Sequence, residues 1–201
     1  MAILKIARMG HPVLLRVCDP VPDPTAPEIR ELVRDMAETM LDASGLGLAA
    51  PQVHVPLRIF VWRNGDSVAA LINPELELLS PPDQRGWEGC LSIPGLRGNV
   101  ERASRVAFRG VDIEGNTVEG EAEGMLARVM QHEYDHLNGV LYPSRMSDLG
   151  LFGFTEELSR AAHQAELARA AEPAKSDRAA VPADPNRAAE SASKNAAEPA
   201  P

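Results

Sequence analysis

The chain has 201 residues, enough for one domain with a sizeable core plus a tail, and its 44% hydrophobic and 24% charged residues are ordinary for a soluble globular protein. A net charge of −9, from 20 basic and 29 acidic residues, argues against broad contact with nucleic acid or anionic lipid. With only Cys18 and Cys90 there is no disulfide framework, and the first residues, Met1 to Arg8, hold no apolar core of signal-peptide length. No apolar run approaches the roughly 18 residues of a membrane span. A cytoplasmic protein without membrane contact is expected, with Cys18 as a small buried hydrophobe.

The first clear element is a helix from Thr25 to Leu41. Thr25 and Glu28 read as a capping box, and Ile29, Leu32, Val33, Met36, Ala37, Met40 and Leu41 recur on one face. Ser44-Gly45 ends it. The next segment, GLGLAAPQ at 45 to 52, carries two glycines two apart. Such glycines mark either a close approach of another backbone or ligand, or simply a flexible loop, and taken alone they favour the loop.

Short β-type runs follow at Leu57 to Trp62, Val68 to Asn73 and Glu75 to Leu79, punctuated by Asn64-Gly65-Asp66 and Pro74, which reads as an antiparallel meander. Residues 81–86 read as a loop delivering Trp87-Glu88-Gly89-Cys90-Leu91-Ser92. Val100 to Phe108 and Thr117 to Glu121 look like further strands around the turn Glu114-Gly115-Asn116. A last helix is expected from about Thr155 to Ala171. Residues 172–201 are Ala, Pro, Ser, Asn and mixed charges with little to bury, so they read as a disordered tail behind a catalytic domain of residues 1–171.

Between these lies QHEYDHLNG at 131 to 139, after a run from Met125 to Met130 that is apolar except at Arg128. On a helix His132 and His136 share a face and can offer two imidazoles to one metal ion, with Glu133 beside them. Asn138-Gly139 stops the helix, and the apolar run expects it to be buried. Histidines at this spacing also occur without metal, so the motif alone leaves both readings open. Cys90, flanked by glycine in a turn-rich segment, is the candidate third ligand. A thiolate with two imidazoles suits zinc or ferrous iron and leaves a position open, as catalytic sites do. His11, His54 and His163 are scattered and supply no obvious fourth ligand.

The stretches GLGLAAPQ at 45 to 52, EGCLS at 88 to 92 and QHEYDHLNG at 131 to 139 resemble, in order and spacing, the three signature motifs of peptide deformylases, and the resemblance spans residues 3 to about 165. It implies an α+β fold: antiparallel β-sheets around a central buried helix carrying the HExxH motif, with an N-terminal amphipathic helix and a C-terminal helix. It implies Cys90, His132 and His136 as metal ligands, Glu133 as general acid/base, and Gln52 with the backbone N–H of Leu91 as oxyanion donors. The reaction implied is hydrolysis of the N-formyl group from formyl-methionine at the start of new polypeptides.

The resemblance further implies that the peptide pairs as an added strand around Leu46, Gly47 and Gly89. Met125, Arg128 and Val129 would form the methionine pocket. Many family members carry an aliphatic residue where Arg128 stands; here its stem is expected along the pocket with its head in water. Gly95-Leu96-Arg97-Gly98 resembles a subgroup in which Arg97 would contact the peptide beyond methionine. The family favours Fe²⁺, with Zn²⁺, Ni²⁺ or Co²⁺ substituting. Expected partners are N-formylmethionyl nascent peptides and the ribosomal exit region, without sequence-specific nucleic-acid contact.

Three rival readings remain, one of them activity on another formylated or acylated small amine, against which the glycine-flanked strand pairing favours a peptide. A zincin-type metallopeptidase would draw a third ligand from later residues, where only His163 remains. A catalytically silent relative that binds nascent peptides would be expected to have lost Glu133, Gln52 or a ligand, and this chain has them all.

Overall fold

The first helix, α1 (Pro27–Asp42), starts later than the Thr25–Glu28 pair predicts. Asp23 is the reason: its carboxylate accepts the Thr25 N–H at 2.9 Å and the Thr25 hydroxyl at 2.7 Å, so the hydroxyl does not cap the helix. Pro27, with φ already set for helix, occupies the first turn instead. At the far end Ser44, not Gly45, takes the left-handed conformation (φ 54°), and the Gly45 N–H closes the helix on the Met40 carbonyl at 2.8 Å.

The structure, a computed structural model, describes residues 2–171, with side chains as far as Gln164. Residues 1–162 form one compact unit; the second unit, residues 163–201, contributes only the end of the last helix to the described residues. The first unit is a mixed α+β fold with two antiparallel sheets. Strands β1 (Gly47–Ala49), β2 (Ile59–Asn64), β3 (Ser67–Leu78), β6 (Arg105–Val111) and β7 (Thr117–Glu123) form a five-stranded sheet in the order β1-β2-β3-β6-β7. Strands β4 (Pro82–Cys90), β5 (Ile93–Ala103) and β8 (Phe152–Phe154) form a second, three-stranded sheet in the order β4-β5-β8.

Three boundaries differ from expectation. Pro74 does not divide β3, because a bulge between Ile72 and Glu75 absorbs its missing N–H. Asn73, at φ 51°, replaces the lost pairing with its carboxamide, which accepts from Val21 N–H at 2.8 Å and donates to Val21 O at 2.9 Å. Residues 82–86, expected as loop, are strand: β4 pairs with β5 from Pro82↔Ala103 to Cys90↔Ile93, leaving Leu91-Ser92 as the hairpin tip. The single strand expected from Val100 to Phe108 is two, parted at Ser104 where the chain changes sheets.

The alternation of β2 decides where the helices pack. Ile59 and Val61 join Ile29, Val33, Met36 and Met40 of α1 on one face, and Phe60 and Trp62 join the helix α2 (Gly124–Leu137) on the other through Ala127, Met130 and Leu137. The opposite side of α2 is buried and polar, with Arg128, Gln131, His132 and Asp135. Gln131 joins α2 to the end of β5, donating to Ala103 O at 2.8 Å and accepting from Ala103 N–H at 3.1 Å. Gly139 (φ 71°) ends α2, and the Val140 N–H returns to the Asp135 carbonyl at 2.9 Å. The last helix, α3, spans Thr155–Ala171, and the tail expected from 172 onward lies outside the described residues. No described helix is long and apolar enough to cross a membrane.

Candidate metal centre and active-site cleft

Helix α2 sets His132 and His136 one turn apart, with ring centroids separated by 5.0 Å. The end of β4 brings Cys90 to them. One candidate ligand atom from each of Cys90, His132 and His136 lies within 4.8 Å of the other two, and Cys90 Sγ is 3.3 Å from His136 Nε2. Ligands about 2.0–2.3 Å from one tetrahedral ion sit ~3.5 Å from each other, so this thiol–imidazole set fits a zinc or ferrous ion. Cys90, His132 and His136 are the cluster of metal-ligating type found among the described residues. The exposed His163 is not part of it.

The tautomer of His132 is set from behind. Its Nδ1 lies 2.8 Å from Glu88 Oε2, which makes Nδ1 the donor and leaves the Nε2 lone pair for the metal side. Tyr142 stacks on the same ring with centroids 5.9 Å apart. Burial opposes charge on His132, but hydrogen bonds to Cys90 and Glu88 outweigh it and raise its pKa well above the usual imidazole value. For His136 burial dominates and lowers its pKa well below that value, favouring a neutral ligand.

Glu133 points into the same space. Burial raises its carboxyl to about 7, opposed by His132 and reinforced by Glu88. Among the described residues nothing pairs with its buried Oε2. Gly47 makes the room: a Cβ there would lie 2.8 Å from Glu133 Cγ and Cδ. Gln52, buried in the 3₁₀ turn Ala50–Val53, accepts the Ala49 N–H on Oε1 at 2.8 Å, which turns Nε2 toward Ser92 Oγ (3.2 Å) and Cys90 Sγ (3.4 Å). Leu91 forms the hairpin tip beside Cys90.

A cleft of about 470 Å³ opens over these groups. Leu46 and Gly47 line it from the β1 side, Gly89 and Arg97 from the β4–β5 hairpin, and Met125, Arg128 and Val129 from α2. Gln52, Cys90, Leu91, His132 and Glu133 also line it, while His136 is buried and not part of the lining. One expectation fails here. The Arg128 head does not reach water: the residue is 5% exposed, whereas apolar Met125 on the preceding turn is 61% exposed. Arg128 is held inside by Glu88 Oε1 at 2.8 Å and by the Val100 and Gln84 carbonyls at 2.9 and 2.6 Å.

Sequence reasoning missed Glu88, Arg102 and Ser92. Arg102 grips Glu88 with two bonds of 2.9 and 3.0 Å and reaches Asp135 at 2.6 Å, building a buried ion network behind the histidines. This holds the Glu88 carboxyl far below the usual carboxylate range: burial raises it, but the His132 and Arg102 hydrogen bonds dominate. Strand alternation gave no firm signal for Glu88, because the pairing of β4 with β5 is irregular between Gly89 and Cys90.

Comparison with known proteins points to one family. The family profile of polypeptide deformylases matches residues 3–151. Peptide deformylase 1 of Bordetella pertussis is 50% identical over 163 residues, covering 76% of this chain and 93% of the relative. The crystal structure of peptide deformylase from Thermotoga maritima superposes with a TM-score of 0.71 at 40% identity, covering 74% of this chain and 100% of that one. A class I type b peptide deformylase from Acinetobacter baumannii bound to Met-Ala-Ser is similar at a TM-score of 0.68 and 34% identity, covering 72% of this chain and 99% of that one.

Proposed function

Because the chain belongs to the polypeptide deformylase family and removes the N-formyl group from newly made polypeptides, we propose that Cys90, His132 and His136 hold one divalent metal ion and that Glu133 is the general base of the reaction. The observation that carries this reading is the meeting of those three residues with the buried Glu133 carboxyl, raised by burial to about 7, whose Oε2 has no partner among the described residues. A bound ion supplies Lewis acidity, polarising the formyl carbonyl and acidifying water. The ligand set suits both iron and zinc; the family favours Fe²⁺, which binds more weakly than Zn²⁺ and so depends on supply in the cell.

The protein's own groups do the rest. Glu133 takes a proton from the attacking water as the oxygen–carbon bond forms, and it returns a proton to the nitrogen as the carbon–nitrogen bond breaks, releasing formate and a free amine. The oxyanion formed between these steps accepts hydrogen bonds from Gln52 Nε2 and the Leu91 N–H. The Ala49 N–H fixes the Gln52 carboxamide, and Nε2, which carries two hydrogens, exchanges its contact with Cys90 Sγ or Ser92 Oγ for the oxyanion. Leu46, Gly47 and Gly89 offer backbone to the peptide as an added strand, which tolerates varied sequence after methionine. The methionine side chain lies against Met125, Val129 and the stem of Arg128, and Arg97 meets the residues beyond.

The Acinetobacter baumannii relative is bound to Met-Ala-Ser, which supports a peptide as the ligand of this chain. Residues 1–171 are the catalytic domain, the cytoplasm is the compartment, and nascent chains are met near the ribosomal exit. The test is metal counting with substrate turnover. Wild-type protein is expected to bind one Zn²⁺ or Co²⁺ per chain and to release formate from formyl-Met-Ala-Ser, and Cys90→Ala to do neither. A Cys90→Ala protein with full metal content and activity would refute the ligand assignment.

A further inference from the structure

We propose that Arg128 is a positioning residue for the metal ligand His132, acting through the Glu88 carboxylate. The inference rests on the metal-site reading above and concerns a group that none of the motifs points to. An ionised carboxylate offers about four acceptor sites. Glu88 uses them all: Oε1 receives Arg102 Nε at 2.9 Å and Arg128 Nη1 at 2.8 Å, and Oε2 receives Arg102 Nη2 at 3.0 Å and His132 Nδ1 at 2.8 Å. The terminal torsion of glutamate is soft. Arg102 alone grips it from one direction, and Arg128, arriving from α2, closes the remaining site and fixes the plane in which the Glu88 oxygen meets the imidazole.

Arg128 is itself immobilised. Its Nη1 also donates to the Val100 carbonyl at 2.9 Å and its Nη2 to the Gln84 carbonyl at 2.6 Å, so both strands of the β4–β5 hairpin hold the guanidinium. Gly86, which pairs with Val100, has no side chain to intrude there; a Cβ at Gly86 would lie 2.9 Å from Arg128 Cζ and Nη2. Gly86 and Arg128 are thus matched in space. Helix α2 supplies both the ligand His132 and, one turn earlier, the clamp on that ligand's carboxylate. Glu88, hydrogen-bonded directly to the ligand, is of the kind whose loss commonly alters metal affinity by about 10–100-fold, and Arg128 stands one hydrogen bond further out.

The experiment compares wild type, Arg128→Met, Arg128→Lys, Gly86→Ala, Glu88→Gln and the Arg128→Met/Glu88→Gln double variant. The readouts are Zn²⁺ affinity by competition with a chromogenic chelator, the visible spectrum of the Co²⁺ protein, and the melting temperature of the metal-free protein. Glu88→Gln is expected to weaken Zn²⁺ binding by about tenfold or more, and Arg128→Met by a smaller but measurable factor, about threefold to tenfold, with a shift of the Co²⁺ bands. Arg128→Lys should recover part of the loss, and Gly86→Ala should move affinity the same way with every charge retained. In the Glu88→Gln background Arg128→Met should add less than about twofold. Gly86→Ala and Arg128→Lys keep the test alive should Arg128→Met not fold.

Unchanged affinity and Co²⁺ spectrum with a lowered melting temperature would overturn the proposal, leaving Arg128 as a staple between helix and hairpin. An undiminished loss in the Glu88→Gln background would overturn it as well. A wild-type protein that takes up no Co²⁺ would remove the metal-site reading itself, a different failure from equal uptake by wild type and Arg128→Met.

Discussion

One methyl group separates Gly47 from a collision with Glu133, which makes this glycine a probe of the general base. Gly47→Ala should lower kcat by about a hundredfold, the cost of a misplacement of ~1 Å, with metal content unchanged. Steady-state kinetics beside metal analysis would check this; retained kcat would show that Glu133 does not depend on the space. At Cys18, burial raises the thiol to about 11, so it is less ionised than an exposed thiol at every pH below that. Cys18→Ala should therefore leave thiol labelling of the native protein at pH 8 unchanged and remove one reactive thiol in urea. The meeting of Cys90, His132 and His136, with Glu133 beside them, was legible because few residue types ligate metal and a helix sets residues four apart on one face. Glu88 was not: its partners Arg102 and His132 are 14 and 44 residues away, and only the register of β4 on β5 and the docking of α2 bring them together.

At the scale of elements, the end of α2 fixes where the histidines point. Gly139 is both left-handed, at φ 71°, and pressed against the chain, since a Cβ would lie 2.7 Å from the Leu15 carbonyl carbon and oxygen. Gly65 shares the conformation at φ 62° but has open space around it. Urea unfolding should show Gly139→Ala losing clearly more than Gly65→Ala, which should lose about 1 kcal/mol from strain alone. Equal losses would mean that the contact with Leu15 relaxes freely. The helical period of α1 and the alternation of β2 were readable from sequence because a buried face imposes them. The start of α1, the continuity of β3 through Pro74 and the strand character of residues 82–86 were hidden. The last two depend on distant partners, Val21 for Asn73 and the β5 backbone for β4, while the start of α1 turns on the local competition of Asp23 for Thr25.

For the whole molecule, a metal bound at the proposed site would tie the two-sheet fold together, since Cys90 lies in the three-stranded sheet and both histidines lie on the helix packed against the five-stranded one. Free Zn²⁺ at a hundred times its dissociation constant should stabilise the native state by about 2.7 kcal/mol. For a domain of this size that raises Tm by roughly 5–10 °C. Calorimetry should show the shift in wild type and its absence in Cys90→Ala. The most direct test of the account is formate release from formyl-Met-Ala-Ser by anaerobically prepared Fe²⁺ protein, wild type against Glu133→Ala, with metal measured in both. The account predicts turnover by wild type and a loss of about 10²–10⁴-fold in the variant at equal metal content. Comparable turnover by the metal-loaded variant would contradict Glu133 as the base, and no turnover by metal-loaded wild type would contradict the assigned reaction.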